Sequence, residues 1–149
     1  MILLLLAGCS TTGGTGSDHQ GLFAQITPAR WQQAGTWNFR VVDEQKQPMG
    51  HMIVRLTGES VGEYACDEGN WKHAVILEDN LDYDFGFDLH PAYRMHGRWL
   101  TLDLTGSMCN VGHIFNGEVD DEGASGFFNY YHRLGGTYIG TYTAVPVTQ

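Results

Sequence analysis

Between Leu81 and Leu89 large apolar side chains alternate with acids or glycine: Leu81, Tyr83, Phe85, Phe87 and Leu89 against Asp82, Asp84, Gly86 and Asp88. A period of two puts each set on its own face of an extended strand, one for a core and one for water. The pattern returns where Met52, Val54 and Leu56 oppose His51, Arg55 and Thr57, and where Leu100, Leu102 and Leu104 oppose Trp99, Thr101 and Asp103. Strands are predicted over 36–43, 52–57, 72–78, 81–89, 98–105, 113–120, 127–134 and 137–145, parted by turn residues with no helical spacer between them. About eight strands so linked make an antiparallel meander, and closing it into a small barrel removes the exposed edges. The expected class is all-β, with a β-sandwich as the alternative. A short helical lead-in is expected between Leu22 and Ala34, where Thr27 would cap and Pro28 would take the first helical position.

With 149 residues, 42% hydrophobic and 17% charged, the chain has material for one globular domain and its core. The formal charge of -9, with only eight Lys and Arg, argues against nucleic acid as a partner, because that affinity rests on neutralising phosphates.

The start of the chain carries a different signal. Ile2 to Leu6 form an apolar run, and Leu6-Ala7-Gly8-Cys9 resembles the lipobox of bacterial lipoprotein precursors. The resemblance implies a signal peptide over 1–8, diacylglycerol on the Cys9 thiol, cleavage before it and acylation of the new amine. Ser10, where Gram-negative lipoproteins retained at the inner membrane carry Asp, points to the outer membrane with the domain facing the periplasm. Signal peptides have a basic n-region and an apolar stretch of roughly 7–15 residues. Only Met1 precedes this run of five, so the expected start lies upstream. Residues 9–21 hold too little apolar surface to order themselves and read as a tether, leaving 22–149 as the domain. The twelve residues from Ser10 to Gly21 span on the order of 20 Å.

Gly35-Thr36-Trp37, opening the first strand after the lead-in, is similar to the Gly-x-Trp signature of lipocalins and the wider calycin group. That resemblance implies a barrel with a Trp closing one end and a cavity for a small apolar ligand. The second lipocalin motif, Thr-Asp-Tyr, is missing. Tyr64-Ala65-Cys66-Asp67-Glu68-Gly69 is similar to a Tyr-x-Cys-Asp-x-Gly segment of membrane-bound lysozyme inhibitors, small barrel lipoproteins themselves, and implies inhibition of an envelope or host hydrolase. Their inhibitory Ser-Gly-x-x-Tyr motif is missing here, so the likeness stops at the strand and cysteine.

After lipidation of Cys9, Cys66 and Cys109 remain. In an oxidising compartment an even pair is most simply a disulfide; two free core thiols, or a metal site using the C-x3-H spacing of Cys109 and His113, are the other readings. Gly58-Glu59-Ser60-Val61-Gly62 matches G-x-S-x-G, but the nucleophile elbow needs a helix directly after its serine, and Glu63 to Gly69 has no helical period. It reads as a turn. Asp82, Asp84 and Asp88, or Asp120, Asp121 and Glu122, offer oxygen ligands for Ca²⁺, yet an EF-hand loop beginning at Asp82 would need Gly and Glu where Phe87 and Tyr93 stand. A solvated strand face and a hairpin tip account for them. His90 and His96 lack the H-E-x-x-H spacing and read as ordinary surface or core residues.

Phe127, Phe128, Tyr130 and Tyr131 crowd one predicted strand on both faces, so one set belongs to the core and the other faces solvent or a partner. No motif calls for a cofactor, and none that specifies a reaction survives its context. The expected function is therefore a non-catalytic envelope binding module, anchored through Cys9, that meets an envelope protein through those four aromatics. Carriage of a small apolar ligand and inhibition of a hydrolase are the alternatives.

Overall fold

The computed structural model describes residues 35–62, 64, 69–86, 88–106 and 110–147. Cys9, Cys66, Cys109, the tether and the expected helical lead-in lie outside those residues. The described chain forms eight strands: β1 (Gly35–Asp43), β2 (Pro48–Ser60), β3 (Lys72–Leu81), β4 (Ala92–His96), β5 (Trp99–Asp103), β6 (Val111–Val119), β7 (Ala124–His132) and β8 (Gly135–Pro146). Each pairs antiparallel with the next and β8 returns to β1, so the sheet closes into an up-and-down barrel.

Alternation fills the inside. Trp37, Phe39 and Val41 of β1, Met52, Val54 and Leu56 of β2, Leu100 and Leu102 of β5, Phe115 of β6, Phe128 of β7 and Tyr142 of β8 are all buried in one core. Rings meet across the axis, with Phe115 stacked on Phe128 at 4.5 Å and Phe39 lying 5.3 Å from Phe115 and 5.5 Å from Tyr142. A barrel of about eight strands is just wide enough for side chains to fill it. Gly117 makes that filling possible on β6. A Cβ there would stand 2.1 Å from the Ser125 carbonyl oxygen and 2.7 Å from the Tyr142 hydroxyl, so only glycine leaves room for this backbone approach and this ring.

Two features depart from the strand boundaries expected above. The segment with the cleanest alternation, 81–89, is not a strand beyond Leu81. It crosses the barrel as a strap, held by Asp82 N donating to Met49 O at 2.7 Å, and turns where Gly86 takes φ +74 and donates to Asp84 Oδ1 at 2.9 Å. Its faces are still as the pattern implied: Phe85 is buried, Tyr83 and Leu89 pack on the core, and Asp82, Asp84 and Asp88 are exposed. Alternation reports sidedness, and a strap that drops rings into a barrel obeys the same rule as a strand. The second departure is β4, five residues that complete the sheet where a turn was expected.

The seam between β3 and β4 is the shortest in the barrel. Only Lys72↔Tyr93 and His73↔Ala92 pair there, followed by one bond from Ala74 N to Pro91 O at 3.1 Å. β3 runs on to Leu81 without a described strand partner on that side.

Candidate functional site

The four aromatics of β7 divide between three environments. Phe128 points inward and is fully buried. Tyr130 also turns inward, its ring 4.7 Å from that of His113. Tyr131 faces outward but lies over Gly112, where an added Cβ would meet its ring at 2.1 Å. Phe127 alone of the four is half exposed, at 50%, and meets Tyr138 of β8 edge-on at 6.2 Å. Leu134, 92% exposed, sits at the tip of the same hairpin. The surface patch therefore centres on Phe127 and Tyr138; sequence reasoning offered Tyr138 and Tyr142 together as cross-strand packing partners of these rings, and the bulge between Phe128 and Asn129 separates the two, leaving Tyr138 outside and Tyr142 in the core.

A buried polar pair joins the strap to the barrel. His113 of β6 is 2% exposed, ringed by Tyr83, Phe85, Phe128 and Tyr130, and its Nε2 lies 3.0 Å from the Tyr83 hydroxyl. Burial among rings lowers its pKa to about 4, so it is neutral near pH 7. Burial likewise raises the Tyr83 phenol, with the neighbouring Tyr130 and Asp84 adding to it.

A second buried cluster covers the outer face of β5. Leu100, Leu102 and Leu104 point inward as expected, yet Thr101, Asp103 and Thr105 opposite them are buried too. Trp71 stacks on Tyr64 at 4.3 Å, Arg94 lies 4.7 Å over the Trp71 ring, and the Tyr64 hydroxyl faces Asp103. Desolvation pushes the Asp103 carboxyl up, opposed by hydrogen bonds such as Thr105 N donating to Oδ1 at 2.8 Å. Tyr64 is raised by burial first and then by the Asp103 charge. An arginine on an indole face and a shielded carboxylate latch the β2–β3 connection onto the barrel wall. Alternation had assigned this face to solvent, because no local pattern announces a covering loop.

Where β3 and the strap part, a cleft of about 460 Å³ opens, lined by Val61, Val75, Ile76, Leu89 and Pro91 with His73 and His90 on its walls. Its size is in the range of ligand sites, and its lining is largely apolar.

The remaining sequence candidates are structural. Ser60 of G-x-S-x-G ends β2 at the surface, and its Oγ accepts from Gly62 N at 3.5 Å. Asp120 Oδ1 accepts from Glu122 N and Gly123 N at 2.9 and 2.8 Å, which holds its carboxyl below the usual range and shapes the β6–β7 turn. Among the described residues no three His, Cys, Asp or Glu side chains gather closely enough to hold a metal ion. The fold and surface together define a closed, ring-filled, eight-stranded up-and-down β-barrel with an exposed aromatic pair. In comparisons with known proteins the chain matches no family model, no curated protein and no solved structure.

Proposed function

We propose that this chain is a lipid-anchored envelope protein that binds a protein partner, without catalysis, through the outside of its barrel. The observation that carries the reading is the division on β7: Phe128 is spent in the core while Phe127, one residue earlier, stands half exposed against Tyr138. Exposed aromatic rings that pack against one another are common anchors of protein interfaces. The ring-filled interior favours an outer surface over an internal cargo site. The Cys9 lipobox supplies the anchor, and the -9 charge suits a cationic partner.

The test is cross-linking in intact envelopes with wild type and with a Phe127→Ala, Tyr138→Ala double variant. Loss of one specific adduct with an unchanged circular-dichroism melt supports the reading. An unchanged adduct, or a stoichiometric lipid carried by the pure protein, contradicts it. Cys9→Ser tests the anchor separately, by releasing the chain from the membrane pellet.

A further inference from the structure

Beyond His73, among the described residues, one side of β3 has no strand partner, in a barrel whose other seams are paired along their strands. Ala74 bonds toward Pro91, so by alternation Ile76 presents its amide and carbonyl to the same side. The bulge between Ile53 and Val54 leaves Leu77 as the extra residue on β3, 50% exposed. Past it, Asp82 N bonds back to β2 at Met49, which by the same alternation turns the Asp79 amide outward to the open side, while Leu81 N donates to Asp79 Oδ1 at 3.1 Å. No described strand pairs with β3 there, and the apolar cleft lies directly beside Val75 and Ile76.

The charge along this edge has one sign. Between His73 and Tyr93 stand Glu78, Asp79, Asp82, Asp84 and Asp88 with no Lys or Arg, and all five are exposed. Glu78 Oε1 has His51 Nε2 at 3.1 Å, and among the described residues no Lys or Arg pairs with these acids. Folded edges usually discourage further pairing by carrying lysine. Here the edge carries acids, which repel a second copy of this acidic chain and attract a basic strand.

We infer that the β3 edge accepts an extended, Lys- or Arg-bearing segment of a partner protein by strand addition, with apolar side chains entering the Val75–Leu89 cleft and basic ones meeting Glu78, Asp79 and the strap aspartates. This edge lies across the barrel from Phe127 and Tyr138, so it is a second binding surface that goes beyond the reading above. Backbone hydrogen bonds supply affinity in such complexes, and alternate side chains supply specificity.

The test uses a capped Lys-Val-Lys-Val-Lys-Val-Lys peptide, its counterpart N-methylated at alternate residues, and a Glu-Val peptide of the same length. Titration should show saturable binding of the first, at least tenfold weaker binding of the second and none of the third. Amide exchange at Ile76 and Asp79 should slow on binding. Glu78→Lys with Asp79→Lys, both on the surface, should weaken the Lys-Val peptide at least tenfold and leave a cooperative melt, lowered only slightly by loss of the His51, Asn80 and Leu81 contacts. Equal binding of the N-methylated peptide, protection elsewhere on the barrel, or a fatty acid occupying the cleft in native mass spectra would overturn the inference. The Phe127 cross-link is read on wild type in parallel. Its presence together with no saturable binding of the Lys-Val peptide to wild type sinks this inference alone, and its absence from wild type sinks the broader reading.

Discussion

The Tyr83 hydroxyl and His113 Nε2 lie 3.0 Å apart inside the barrel, so the strap is tied to β6 by one polar contact among rings. A neutral imidazole shares one hydrogen bond with the phenol there, donating or accepting according to its tautomer, whereas a protonated one would be a buried cation. With its pKa lowered to about 4 by burial and an unfolded value near 6.5, His113 favours folding fully above pH 6.5. Between those values the unfolded chain binds more protons, so stability falls as pH drops and the loss is complete below about 4. The shift corresponds to roughly 3 kcal/mol over that window. Urea midpoints at pH 7 and 5 should differ more for wild type than for His113→Gln; equal differences would show that His113 does not titrate in this window.

Phe127 and Phe128 should respond to alanine in opposite ways. Removing the buried ring leaves a cavity among Phe115, Tyr83 and Phe85, and costs about 3–5 kcal/mol. Removing the exposed one should change stability by less than about 1 kcal/mol. Chemical denaturation of the two single variants measures this, and a destabilised Phe127→Ala would place that ring in the core.

Gly117→Ala should destabilise by at least about 1–3 kcal/mol, the usual range for overpacking, because the added methyl meets the backbone at Ser125 as well as the Tyr142 hydroxyl. Trimming Tyr142 to Phe frees the second contact but not the first. Thermal melts of both variants and their combination should show only partial rescue, and full rescue would mean that the side chain, not the backbone, sets the limit.

Cys66 and Cys109 lie outside the described residues; the expectation of a bond between them rests on the even pair left after lipidation of Cys9. Such a disulfide would close a loop of about 44 residues, worth roughly 4 kcal/mol in the chain-entropy model. Under denaturing, non-reducing conditions neither thiol should label, and mass spectrometry should recover the linked peptides. Two labelled thiols in fresh envelope material would reject the bond.

The fold was legible because period-two alternation survives in almost every strand: Phe39, Met52, Leu102, Phe115 and Tyr142 all point where the pattern sends them. Strand identity was less legible. Tyr83 and Phe85 alternate like strand residues because they enter the core, while Ala92–His96 pairs as β4 with a small residue, a proline before it and little contrast between faces. Of the aromatic segment, the strand and its two-sidedness were readable, but which side faced water was not. That depended on the β7–β8 bulge and on Tyr131 packing over Gly112, both set by neighbouring strands. The latch over Asp103 and the open β3 edge were invisible for the same reason, since each arises between segments distant in the chain.

The most direct test of the account replaces Phe127, Tyr138 or Phe128 in turn with a photo-reactive phenylalanine analogue in the membrane-anchored chain. Irradiated cells should yield one protein adduct from positions 127 and 138 and none from the buried position 128. Adducts to lipid, an adduct strongest from position 128, or no protein adduct from either exposed position would contradict binding through the outer face of β7 and β8.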